Sequence, residues 1–144
     1  MKPQLNRVLV IDDDDPSNFF TQMVLEESGY TRNIKIVQSG KEALDYLRAT
    51  KHHSFVRPDL IFLDINMPGM NGWEFIEEYK KLDKELTSKI IVTMLTTSDD
   101  PDEKMLAKTY DVISEFRIKP LSKDMLEDIM SKYFSNHVNS KSSL

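Results

Sequence analysis

Five short apolar runs, each followed by a stretch of helical periodicity, limit this chain to few folds. Val8-Leu9-Val10-Ile11 and Leu60-Ile61-Phe62-Leu63 are continuous, and each ends at an aspartate. Such runs suit strands buried on both faces, because a strand with one wet face alternates apolar and polar residues. Ile34 to Val37, Ile90 to Leu95 and Val112 to Ile118 supply three more strands. The intervening segments carry helix start and stop signals. Asp15 reads as an N-cap before Pro16, with Phe20, Met23 and Val24 at helical spacing until Gly29 ends the segment. Ser39 with Glu42, and Asn71 with Glu74, have capping-box spacing. The helix from Asn71 is expected to carry Ile76, Tyr79 and then Leu82 or Leu86 on its inner face. Asp100-Pro101-Asp102-Glu103 is an acidic, proline-led start, and Ser122 caps a last helix with Leu126, Ile129, Met130 and Tyr133 on one side. Strands joined through helices run parallel, so the expected class is α/β with five β-α units.

Composition removes other options. A chain of 144 residues fits one domain. Lys plus Arg at 19 against Asp plus Glu at 24 leaves −5, without the basic excess that a nucleic-acid surface needs. There is no cysteine, so thiol chemistry and disulfides are out. The glycines, at 29, 40, 69 and 72, cannot build either common phosphate-binding loop. No apolar run approaches the roughly 20 residues of a membrane span, and the N-terminus lacks a secretory pattern. The expectation is a cytoplasmic protein with no membrane contact and no output domain, ending in a polar, frayed tail over residues 135–144.

In a parallel α/β sheet, ligands bind beyond the carboxyl ends of the strands. Those ends carry Asp12 and Asp13, Asp64, Thr96 and Lys119. Taken singly, each has a plain structural reading: aspartates at a helix start, a turn before Pro68-Gly69, a strand threonine, an exposed Lys-Pro turn. Their coincidence at strand ends favours a site. Clustered carboxylates raise one another's pKa, and a hard divalent cation relieves that cost. The set reads as Mg²⁺ with a phosphoryl group, one aspartate acting as nucleophile while Lys119 and Thr96 stabilise the phosphoryl oxygens.

The runs ending Ile11-Asp12-Asp13 and Leu63-Asp64-Ile65-Asn66-Met67-Pro68-Gly69, with Met94-Leu95-Thr96 and Phe116-Arg117-Ile118-Lys119-Pro120, resemble response-regulator receiver domains. The resemblance covers residues 6–134. It implies a doubly wound, flavodoxin-like five-stranded parallel sheet in the order 2-1-3-4-5, with a cis Lys119–Pro120 bond. By the same resemblance Asp64 is the phosphoacceptor of a two-component phosphorelay, charged by a sensor histidine kinase or a histidine phosphotransfer protein. Asp13 would bind Mg²⁺ (or Mn²⁺) directly, Asp12 through water and Asn66 through its backbone carbonyl. Thr96 and Phe116 match the switch pair, and Lys119 the phosphate-contacting lysine. Asn66 and Ser98 match positions that tune acyl-phosphate lifetime, and Thr97 is bulkier than usual beside them. Output would pass through the face of the fourth helix, fifth strand and fifth helix. Lys104, Lys108, Glu115, Arg117 and Lys123 make that face a mixed-charge patch, suited to an unnamed protein partner or a phosphorylation-dependent homodimer.

Three other readings compete. An aspartate-nucleophile phosphatase needs an acid two residues beyond the nucleophile, where this chain has Asn66. A Ca²⁺ loop starting at Asp12 fails, with Ser17 and Met23 at the positions that require Gly and Glu. A degenerate receiver serving only as a scaffold sits poorly with a complete set of site residues. The expected protein is a phosphoacceptor, not an enzyme beyond self-phosphorylation from small donors and self-dephosphorylation.

Overall fold

A computed structural model describes residues 5–52, 56–87 and 89–134. The tail expected over 135–144 lies outside the described residues. Five strands, β1 (Leu5–Ile11), β2 (Thr31–Val37), β3 (Leu60–Leu63), β4 (Ile91–Thr96) and β5 (Ile113–Ile118), form one sheet in the order β2-β1-β3-β4-β5. Every pairing is parallel. This is the order that the resemblance implied.

The helices are α1 (Asp15–Ser28), α2 (Gly40–Ala49), α3 (Gly72–Tyr79), α4 (Lys84–Thr87), α5 (Pro101–Lys108) and α6 (Lys123–Tyr133), with a 3-10 turn at Thr50–His52. Leu9, Ile11, Ile61, Leu63 and Met94 pack with Leu47, Phe75 and Tyr79 on one face of the sheet. Val8, Val10, Phe62 and Leu95 pack with Leu25, Leu126 and Ile129 on the other. Alternate residues of a strand point to opposite faces, so these continuous apolar runs feed two cores at once.

Caps fix where the helices begin. Asn71 and Glu74 form a full capping box, each side chain accepting the other's N–H at 2.9 Å. Ser39 accepts the Glu42 N–H at 3.1 Å, but the Glu42 carboxylate takes the N–H of Gln38 instead of closing the box. Ser122 caps α6 through the N–H of Met125. Two expectations need correction. The cap of α1 is Asp14, which accepts the Ser17 N–H at 2.9 Å, and Asp15 is already helical. The third helix stops at Tyr79, and Leu86 belongs to the separate turn α4, opened by the Leu86 N–H bond to the Asp83 carbonyl. That extra turn makes α5 and α6 the fourth and fifth helices of the sequence reading.

The sheet is uneven. β3 is buried throughout, whereas β5, at the edge, is half-buried along its length with Ile118 exposed. The β4–β5 register shifts between Val92 and Thr93, whose partners are Ile113 and Glu115, leaving Ser114 as a bulge residue on β5. Its carbonyl accepts the Tyr133 hydroxyl from α6 at 2.9 Å.

Candidate functional site

Three backbone bonds continue the strand ladder one step past the strands and hold their carboxyl ends level. The Asp12 N–H donates to Val37 (3.1 Å), the Asp64 N–H to Ile11 (3.0 Å), and the Lys119 N–H to Thr96 (2.7 Å). Asp12, Asp64 and Thr96 are 4%, 7% and 0% exposed, so three polar side chains are buried at one edge of the sheet. Carboxylate oxygens of Asp12, Asp13 and Asp64 all lie within 4.8 Å of one another. The Lys119 ammonium reaches in from the end of β5, 2.5 Å from Asp12 Oδ2 and 3.7 Å from Asp64 Oδ1. The Lys119–Pro120 bond is cis.

Asp12 is held by the start of α1. It accepts the Asp14 N–H (3.0 Å) and the Ser17 hydroxyl (3.2 Å), while the Asn18 side-chain amide donates to its main-chain carbonyl at 2.8 Å. Asp64 is less well compensated. Burial pushes its carboxyl up to about 6; Lys119 opposes this, and the charges of Asp12 and Asp13 reinforce it. An all-oxygen cluster with one reluctant carboxylate has the chemistry of a hard divalent-cation site.

Asn66 lies exposed, two residues beyond Asp64, in the loop to α3. Thr96 Oγ1 accepts the Ser98 N–H at 3.3 Å. Phe116 lies on β5, half-buried against the α2–α3 core and lining a surface groove between α5 and α6. Of the charged residues expected on this face, Lys104, Lys108, Glu115 and Arg117 line the groove together with Asp128 and Lys132, whereas Lys123 is not part of the lining.

The sequence reading missed two supports of the site. Gly72 brings the start of α3 against the Asp64 loop: a Cβ there would lie 2.7 Å from the Asp64 carbonyl oxygen and 2.8 Å from Ile65 Cα. A glycine at the first position of a capped helix was the available signal. Asn18, 5% exposed, is the other, and a buried polar residue on a helix leaves no such mark in sequence.

This geometry defines a class that comparison with known proteins bears out. The model of the response regulator receiver domain family matches residues 8–131, and the chain belongs to that family. Its members are phosphoacceptors of two-component signalling. The chain is 28% identical over 116 residues to the probable methanogenesis regulatory protein FilR2 of Methanothrix harundinacea, covering 80% of this chain and 72% of that one. It is 28% identical to sporulation initiation phosphotransferase F of Bacillus subtilis, covering 88% of this chain and 92% of that protein. A two component response regulator from Cytophaga hutchinsonii superposes with a TM-score of 0.84 at 32% identity, over 92% of this chain and 98% of that one. Other curated relatives are much longer, and the chain spans 7% of one and 31% of another. Among the described residues no helix is long and apolar enough to cross a membrane.

Proposed function

We propose that Asp64 is the phosphoacceptor of this receiver, charged by a phosphohistidine on a sensor kinase or phosphotransfer protein. The observation that carries this is a nearly buried carboxylate with an ammonium 3.7 Å away and two further carboxylates close by. In the transfer an ionised Asp64 oxygen forms the new O–P bond as the N–P bond breaks, and the imidazole leaves as the neutral ring after taking up a proton. Ionisation is the prerequisite, and a carboxyl at about 6 is largely ionised at neutral pH.

Asp12, Asp13 and Asp64, with the Asn66 carbonyl, are the residues that would hold Mg²⁺ or Mn²⁺. When bound, the metal supplies positive charge to the phosphoryl oxygens. Lys119 is positioned to leave Asp12 for a phosphoryl oxygen, and the Thr96 hydroxyl donates to another. Thr96 and Phe116 then act as the switch pair: movement of the threonine opens space for the ring to turn inward. The groove beside Phe116, lined also by exposed Ile118 and by Met125, is the face read by a protein partner or a second copy of the chain. The receiver spans 6–134, lies in the cytoplasm, and goes no further as an enzyme than self-phosphorylation and self-dephosphorylation. Incubation with Mg²⁺ and a small acyl phosphate is expected to add one phosphoryl group to the wild-type protein and none to Asp64→Asn. Equal labelling of the two would move the acceptor elsewhere.

A further inference from the structure

The hydroxyl of Thr96 takes part in a hydrogen-bond circuit that leads away from the carboxylates. Its oxygen accepts the main-chain N–H of Ser98 at 3.3 Å. The Ser98 hydroxyl donates to the Glu103 carboxylate on α5 and accepts the Asp100 N–H at 3.3 Å. Asp100 caps α5, and its carbonyl accepts the Glu103 N–H at 3.1 Å. The circuit closes through Ser98, Glu103 and Asp100, and Thr96 is tied to it by the Ser98 N–H alone. Packing does little to hold this end of α5: burial in the helix falls on Ala107, near its far end, while Met105 and Leu106 are 66% and 41% exposed.

We infer that Glu103 is a positioning residue for the switch: by holding Ser98, it sets how readily Thr96 leaves its resting place for a phosphoryl group. The inference rests on the reading of Asp64 as phosphoacceptor. Drawing Thr96 Oγ1 toward Asp64 takes the acceptor away from the Ser98 N–H. The 97–100 loop is then free to move with Ser98, and the charge-assisted bond to Glu103 resists that movement. A bond made in one of two states stabilises that state alone, so its loss shifts the equilibrium toward the other. Glu103 does this without touching phosphate, metal or Asp64. The start of α5, a helix whose Lys104, Ala107 and Lys108 line the output groove, is thereby linked to the site through one serine.

Beryllofluoride with saturating Mg²⁺ is the probe, its binding followed by fluorine NMR on the whole chain. Glu103→Ala is expected to bind it roughly fivefold more tightly than wild type, as a modest coupling between two states requires. Glu103→Gln, which keeps an uncharged acceptor, should fall between them, and Mg²⁺ affinity without beryllofluoride should be the same in all three. Ser98→Ala cuts the same bond from its other end and must reproduce the tightening. Unchanged affinity in Glu103→Ala, together with faster amide exchange over residues 97–104, would overturn the inference by reducing the bond to a loop staple. Tightening in one variant but not the other would also overturn it. A wild-type protein that binds Mg²⁺ but no beryllofluoride would instead refute the role of Asp64, and the inference would fall with it.

Discussion

β3 and β5 lie two strands apart in the same sheet and are built differently. β3 is four residues long, buried on both faces, and delivers Asp64 to a fixed place. β5 is an edge strand, half-buried, bulged at Ser114 and lined on its outer side by a groove. Close-packed interiors leave a side chain few alternative positions, whereas a partly exposed edge can exchange one packing for another at low cost. Chemistry that requires in-line attack belongs on the first, and a surface that must change when charge arrives belongs on the second. Lys119 and Thr96 join the two regions: one reaches Asp64 from the end of β5, and the other carries the Lys119 N–H on its carbonyl.

The contrast should appear first in stability. Phe62→Ala on β3 is expected to cost about 3–5 kcal/mol, and Phe116→Ala on β5 about 1–2 kcal/mol, because only part of that ring leaves water. Denaturant unfolding of both variants checks this, and equal losses would remove the distinction between the strands. Gly72→Ala should cost about 2–3 kcal/mol, since the atoms a Cβ would meet are backbone that cannot swing aside. It should also slow phosphorylation more than Phe116→Ala does, because it displaces the Asp64 loop itself.

Charge at the site gives an effect of opposite sign. The Asp64 carboxyl is raised to about 6 in the folded protein against about 3.9 in an unfolded chain. A raised carboxyl means the folded state binds its proton more tightly. The ionised form therefore costs stability above pH 6, and the cost fades as pH falls through 6 toward 4. Asp64→Asn should be more stable than wild type at pH 7 by on the order of 1 kcal/mol, less than the full shift implies because solvent still reaches the pocket. The gap should close near pH 4, and Mg²⁺ should narrow it at pH 7. A gap that widens on acidification would show that the Asp64 charge is stabilising. An effect of similar size is expected at the edge strand: Tyr133→Phe removes the one hydroxyl proton shared between the Ser114 carbonyl and the Glu115 carboxylate, for about 1 kcal/mol. Its thermal midpoint should fall slightly while phosphorylation is unchanged.

The better-buried half of the molecule was also the more legible in sequence. Runs such as Leu60 to Leu63 have one good solution, and the caps at Ser39, Asn71, Asp100 and Ser122 sit where their side chains can meet an unpaired N–H. Four aspartates in a row offer equivalent caps, so local pattern could not choose Asp14 over Asp15. The split of α3 from α4 was hidden because Leu82 and Leu86 continue the apolar spacing while the backbone turns at Asp83. Site residues at strand ends were legible because a parallel sheet gathers those ends by rule. Gly72, Asn18 and the tie from Ser98 to Glu103 were not, since each depends on a tertiary approach that no periodicity records.

Amide hydrogen exchange with and without beryllofluoride, at saturating Mg²⁺, most directly tests whether fixed chemistry and adaptable output occupy different strands. Exchange in β3 should stay slow and unchanged, while residues 97–118, covering the 97–100 loop, α5 and β5, should change together. Perturbation confined to the loops around Asp13 and Asp64, with 97–118 unaltered beyond the contacts of Thr96, would contradict it.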